Sequence, residues 1–397
     1  MKINNINALL LATAPVFAVY SIAGLTMTFF LIWFCIILNI FNQTKSSNQF
    51  RHPEQILFLG VLVLGFLSYL TNNGEAFYSS RLFINNLFPI VSFFGVLLLC
   101  TKNVNIDLFV KVIIWISLAA SFICLFQRVQ IVATGSYSNN FFIPGLEVKR
   151  DLENFSTRPS AFFTEPAHLA IYLLPVFNFL LRAKKQAYSI IIGLGILSSG
   201  STTGFLLMFV LYIINSIKNR INKKKMFVSL LSMALLFSIV MYVSPDILLS
   251  NYEKLATSES SGSRLLGPLQ YFGYFNFIQY IFGIGLNQLS SFLQSHGFVL
   301  LSAFNEEMDM NYANALIYMV LSYGIIGGFM LLRYLVTLFK AYNCKQNAGF
   351  YVILLGIMLS DQVLFNMNLL YPLVCVMLLT NYDKNSENEK DNYIIRL

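Results

Sequence analysis

Charge is scarce in this chain. Only 11% of its 397 residues are Asp, Glu, Lys or Arg, less than half the roughly 25% of an ordinary soluble domain. Histidine occurs three times and tryptophan twice. A phosphate-binding glycine loop, an HExxH helix and a CxxC pair are all missing, which removes the soluble catalytic classes built on them. Gly283-Ile-Gly285 is too short for a dinucleotide fingerprint, and no internal repeat is evident. The five cysteines lie away from the segments expected outside the bilayer: Cys35, Cys100, Cys124 and Cys375 fall in apolar runs and Cys344 near the inner side. No loop disulfide is therefore expected, and the thiols read as small packing groups.

What the chain has is apolar surface. Hydrophobic residues make up 57%, Phe alone numbers 38, and mean hydropathy is +0.67. Disorder, which needs low hydrophobicity, is excluded. The continuous apolar runs lack the alternation of a transmembrane barrel. The expected fold is therefore all-α, a polytopic integral membrane protein.

Uncharged runs near 20 residues mark the spans. The 42 uncharged residues between Lys2 and Lys45 suit two helices turning near Gly24, and the 32 over 186–217 suit two breaking at Gly200-Ser-Thr-Thr-Gly204. Single helices are expected over 55–73, 82–101, 108–127, 166–181, 226–245, 310–332, 346–360 and 362–382. The total is about twelve transmembrane helices, the first one uncleaved, with both termini cytoplasmic. That arrangement places 19 of the 26 basic residues inside, as the positive-inside rule requires. It also explains most of the formal +8 charge without a nucleic-acid partner. Seven basic residues remain outside: Arg81, Arg128, Lys149, Arg150, Arg158, Lys254 and Arg264.

The chain reads as one transmembrane domain over 1–397. Two large outer loops are expected, over 128–161 and 244–309, with a short cytoplasmic tail over 383–397. Loops this long are usually functional or disordered, and any chemistry is expected on the outer face. The second loop carries a Ser-rich run over 257–263, an aromatic stretch over 271–282 suited to the membrane interface, His296, and the acids Glu306, Glu307 and Asp309.

One segment stands out. Arg158-Pro-Ser-Ala-Phe-Phe-Thr-Glu165-Pro166-Ala-His168 puts an Arg, a Glu and a His within eleven residues where loop meets membrane. Pro166 suits a first helical turn, Glu165 then sits at the positive end of the helix dipole, and His168 shares its face at i+3. The plainer roles are a helix cap for Glu165 and bundle packing for His168. Arg158 and Arg264 suit a phosphate-bearing ligand, since guanidinium binds phosphate in a fork and keeps its charge. Headgroup anchoring is the plainer role there, and the one expected for Arg81, Arg128, Lys149 and Arg150. His296 and the acidic trio offer further general bases. Asp361, followed by Gln362, Asn366 and Asn368, is placed near the outer face at the end of its helix.

These pieces together resemble the O-antigen polymerase (Wzy) and O-antigen ligase group of bacterial surface-polysaccharide enzymes. The Arg158–His168 segment is similar to that group's Arg…Phe-x-Glu-Pro at an outer helix start. Leu197-Ser-Ser-Gly200-Ser-Thr-Thr-Gly204 is similar to its Ser/Gly turn. Phe282-Gly283-Ile-Gly285-Leu286-Asn287-Gln288 is similar to its Gly-x-Gly segment in the large periplasmic loop. Asn314-Ala-Leu-Ile-Tyr318…Tyr323-Gly324-Ile-Ile-Gly327 is similar to the helix that follows. Ligases commonly carry His-Asn before that helix; Ala313-Asn314 here lacks the His, which favours polymerase.

The resemblance implies a glycosyltransferase of the bacterial inner membrane, its active site facing the periplasm. It would move a growing glycan from undecaprenyl diphosphate to a lipid-linked acceptor repeat unit. No metal and no cofactor are expected. Partners are the lipid-linked oligosaccharide, membrane lipid and a chain-length regulator protein. The base is left open among Glu165, His168 and His296, the diphosphate falls to Arg158 and Arg264, and Asn314 and Asp361 are secondary candidates. The alternatives are a lipid-linked oligosaccharide flippase or transporter, and an O-antigen ligase.

Overall fold

The computed structural model describes residues 2–22, 25–42, 53–137, 142–143, 146–148, 158–218, 231, 238, 267–297, 313–342 and 344–388. Apolar periodicity and turn chemistry divide them into helices α1 (Ile3–Thr13), α2 (Met27–Asn42), α3 (Pro53–Asn72), α4 (Ser80–Gly95), α5 (Ile106–Thr134), α6 (Pro166–Arg182), α7 (Gln186–Ser199) and α8 (Thr202–Lys218). After them come α9 (Phe277–Phe282), α10 (Leu289–Ser295), α11 (Ala315–Ala341), α12 (Cys344–Ser360) and α13 (Met367–Asn388). A π-helical turn, Val96–Cys100, extends α4. Eleven of the twelve expected helices have a counterpart among the described residues, and the twelfth, over 226–245, lies outside them but for residues 231 and 238. Among the described residues four helices are long and apolar enough to cross a membrane: Pro53–Asn72, Ser80–Cys100, Ile106–Thr134 and Ala315–Ala341.

The bundle is built around α6 and α13. Every residue from Leu169 to Leu180 is buried, and so is every residue from Leu369 to Thr380. Tyr172 and Tyr371 stack between them at 4.6 Å. The Tyr172 hydroxyl donates to the Ala12 carbonyl at 2.9 Å, drawing α1 onto the core. Apolar side chains such as Phe34, Leu59, Phe66, Trp115, Phe122 and Phe329 point outward, as they do where lipid replaces water.

Three details add to the expected outline. Two short strands, β1 (Tyr20–Ile22) and β2 (Leu25–Thr26), pair antiparallel on either side of the expected turn, and β1 also pairs with β3 (Glu147–Val148), a small sheet beside an otherwise helical fold. The Ser21 hydroxyl donates to the Glu147 carboxylate at 2.6 Å, which ties part of the first expected outer loop to this sheet. The segment from 128 is still helical: the apolar pattern continues through Val129, Ile131 and Val132, and α5 stops at Gly135, a left-handed C-cap with φ 81°. At the other end α13 runs to Asn388, into the tail expected from 383.

Part of the expected second outer loop packs into the bundle. After a 3-10 turn (Gly267–Tyr274), α9 runs to a turn at Gly283-Ile-Gly285 that lies against α11. There α11 is broken: Gly324 has φ 67° and ψ −173°. A break at that position takes the carbonyls of Leu321 and Ser322 away from their helical partners. They accept instead from the Ile284 and Gly285 amides, both at 3.0 Å. Irregular backbone survives in a bilayer only when protein supplies such partners.

Side chains complete the set. Ser68 and Asn72 donate to the Gly283 carbonyl, and Asn86 donates to Leu286 O at 2.7 Å while accepting from the Asn287 side-chain Nδ2 at 2.6 Å. Gln288 accepts from Ser79 N and donates to Ser79 O. Replacing Asn86, itself buried, with Leu should cost about 1–3 kcal/mol, because it strands a carbonyl and an amide in an apolar setting. A lower thermal midpoint in detergent checks this, and an unchanged one contradicts it.

Candidate active site

The C-terminal end of α5 is the platform. Small residues let α5 lie close to α7: a Cβ added at Gly195 would fall 2.5 Å from Ser121 Oγ. The Cys124 thiol donates to Gly195 O at 3.5 Å. One turn further on Gln127 clamps Ala161 of the incoming loop, accepting its amide proton at 2.8 Å and donating to its carbonyl at 3.3 Å. Beside it, Arg128 donates through Nε and Nη2 to Ser198 O, at 3.0 and 2.6 Å.

Arg128 was expected to anchor headgroups at the surface. It is instead 7% exposed, because α5 continues past it and the carbonyl end of α7, the negative end of that helix dipole, meets its guanidinium. That this residue and Gln127 hold the α7 end and the incoming loop was not read from sequence, and Gly135 as the helix stop was the signal that could have shown α5 running past them.

The segment from Arg158 to Pro166 lies across this platform. The Tyr137 hydroxyl donates to Arg158 O at 3.2 Å, and the Ser160 hydroxyl donates to Phe163 O at 2.8 Å. Ala161 takes a left-handed φ of 51°. Arg158 is half-buried. Its Nη2 makes one long bond, 3.4 Å, to Gly200 O in the α7–α8 turn, and its buried Nε has no hydrogen-bond partner among the described residues. Burial lowers the Arg158 guanidinium below its ordinary range, and the nearby Glu165 charge raises it again. The pair therefore lies within electrostatic reach.

Pro166 opens α6 as expected, with Glu165 at the N-cap in extended backbone, φ −140° and ψ 156°. The Glu165 carboxylate makes no capping bond, so capping does not occupy it. His168 sits one turn on, its Nδ1 hydrogen-bonded to the Thr164 hydroxyl. It lines a small cleft with Pro15, Ala18, Thr164, Asn368 and Tyr371. Glu165 and His168 thus share the first turn of α6, and the Glu165 charge is felt at Arg158.

The remaining candidates are held elsewhere. Asn314 caps α11, accepting from Ile317 N at 3.0 Å, and the next amide, Ala315 N, donates to Asp361 O at 3.0 Å. The Asp361 carboxylate accepts from Gln362 N at 2.8 Å. These two therefore join α11 to the 361–366 turn, which leads to Asn368 in the His168 cleft. His296 ends α10, with Nδ1 against Phe292 O at 2.8 Å and its ring against Phe292 and Tyr274. Among the described residues none of these contacts reaches Glu165 or His168. Arg264, Glu306, Glu307, Asp309, Lys149 and Arg150 lie outside the described residues.

Comparison with protein families matches residues 8–382 to the family described as WcaD colanic acid polymerase. The chain belongs to the WcaD colanic acid polymerase family. A search of curated proteins finds no match. As a WcaD-family member the chain is a multi-pass membrane polysaccharide polymerase, with glycosyltransferase-type activity on lipid-linked oligosaccharides. The Wzy-type resemblance read from four motifs is thereby shown, and the structure pairs those motifs. Arg158 of the first bonds Gly200 of the second, and the glycines of the third pack on the broken helix of the fourth. For this WcaD-family site, Glu165→Gln is expected to lower polymer synthesis on the order of 100-fold, as loss of a general base does, while Glu165→Asp retains part of it. A polymer ladder from membranes carrying each variant reads this, and a normal ladder from Glu165→Gln would move the base elsewhere.

Proposed function

We propose that the chain lengthens a surface polysaccharide at the periplasmic face of the bacterial inner membrane, using undecaprenyl-diphosphate-linked glycan as donor and no metal. The observation that carries this reading is the Arg158–Glu165 pair, a guanidinium with spare donors beside an uncapped carboxylate at the start of α6.

The acceptor is the sugar hydroxyl of a lipid-linked repeat unit. Glu165, with His168 one turn away, takes its proton as the oxygen attacks the anomeric carbon of the donor glycan. The bond from that carbon to the diphosphate oxygen breaks, and undecaprenyl diphosphate leaves with the electron pair. Negative charge grows on the leaving group, and Arg158, with Arg264 from the second outer loop, stabilises it. The donor is already activated, so no nucleotide is required. Chain length is set by a regulator protein that binds the same face.

A deletion strain tests the reaction class. Loss of a polymerase should leave a single capped repeat unit on the cell surface, detected as one band in place of a ladder. Loss of every band would mean a flippase, and free polymer with no attachment to its lipid acceptor would mean a ligase.

A further inference from the structure

The mechanism above leaves one charged group unused. Arg128 sits on α5, a helix of 29 residues. It is the 23rd of them, ~33 Å from the helix start at 1.5 Å per residue. It is far enough along to lie near the outer boundary of a ~30 Å hydrocarbon core, yet it faces protein. An ionisable side chain kept inside a membrane bundle is expensive and usually functional. Headgroup anchoring is excluded, because the residue is buried and two of its nitrogens are spent on one backbone carbonyl.

That carbonyl decides what Arg128 does. Ser198 O closes α7, and two residues later Gly200 turns the chain with φ 69°. The turn is held locally by the Ser199 hydroxyl, which accepts from Ser201 N, and by the Ser201 hydroxyl, which accepts from Gly204 N. Its outward carbonyl, Gly200 O, is the acceptor for Arg158 Nη2. Arg128 therefore grips one end of the turn while Arg158 rests on the other. The two guanidinium groups also repel each other, and each donates to a carbonyl of the turn between them. Next to Arg128, Gln127 fixes the same incoming segment at Ala161.

We infer that Arg128 is a positioning residue for the polymerisation reaction: by holding Ser198 O it sets the α7–α8 turn, and through Gly200 O it sets the guanidinium of Arg158. This inference rests on the active-site reading of Arg158. A lysine in its place keeps the charge but loses the fork, and glutamine loses both.

The test uses the full chain purified into nanodiscs, with a lipid-linked repeat unit as substrate. Arg128→Gln is expected to lower kcat on the order of 100-fold, the effect of misplacing a reacting-site group by about 1 Å, with KM little changed. Arg128→Lys should recover only part of this. In an Arg158→Lys background the further loss on changing Arg128 should largely vanish, because the two residues act as one unit. Losses that multiply in the double variant would overturn the inference, as would a fully active Arg128→Lys.

Amide hydrogen exchange without substrate separates the two readings. Arg128→Gln should speed exchange at Ser201 and Gly204, and unchanged exchange there overturns the positioning role whatever the reaction is. If exchange speeds up but Arg158→Lys polymerises normally, the active-site reading fails and the inference built on it falls with it.

Discussion

Gly324→Ala is expected to leave little folded protein in the membrane. Two independent effects act at that atom. The backbone at Gly324, φ 67° and ψ −173°, lies in a region that is essentially glycine-only, at a cost of about 1–3 kcal/mol for any other residue. An added Cβ would also lie 2.0 Å from Ile281 O and 2.2 Å from Ile281 C, and these are backbone atoms that cannot rotate away. Gly283 faces the same pair of problems from the other side, with φ 76° and ψ 179° and a Cβ that would meet Ser322 C at 2.3 Å.

Any separation at this crossing also strands the Leu321 and Ser322 carbonyls that Ile284 and Gly285 now satisfy. The combined loss should exceed about 4 kcal/mol, which is exceptional for a point change. Membrane-fraction yield and thermal unfolding measure it. Gly74→Ala, where nothing lies within 4 Å, should be neutral in both. A Gly324→Ala protein as stable as the parent would mean that the Gly283-Ile-Gly285 turn does not pack on α11 in the membrane.

That crossing also shows where reading from sequence stops. Long apolar runs located most helices, since burying backbone in lipid demands helices wherever charge is absent. The small-residue turn at Gly200 and the Pro166 helix start were equally plain, because both are local events. Gly283 and Gly324 were each visible as glycines in a motif. Nothing local says that two glycines 41 residues apart share one contact, and only packing supplies that. Arg128 failed for a related reason. A charge at the end of an apolar run looks like a boundary marker, and its burial depends on a carbonyl of another helix, Ser198 O. The placing of Glu165 and His168 on the first turn of α6 was legible because that helix start is encoded in consecutive residues.

Arg158→Ala is expected to abolish chain lengthening while the protein still inserts and folds. In the structure Arg158 contributes little to the fold: one bond of 3.4 Å to Gly200 O and a buried Nε with no partner among the described residues. Ala161 and the turn on either side are held by Gln127 and Arg128 instead. Its removal should therefore leave yield and thermal midpoint near those of the parent. Activity is a different matter. In a half-buried site charge stabilisation is worth more than in water, and losing one preorganised donor to a developing anion costs about 10²–10³ in rate. Arg158→Lys keeps the positive charge but presents a point charge rather than a planar fork, so it should fall between the two. The ordering parent, lysine, alanine in turnover, at equal protein in the membrane, is the signature of a charge that meets a phosphate. If lysine and alanine fall equally, the geometry of the fork matters and the charge does not. If neither falls, Arg158 is an anchor, and the leaving diphosphate must be met by Arg264 or by another group of the second outer loop.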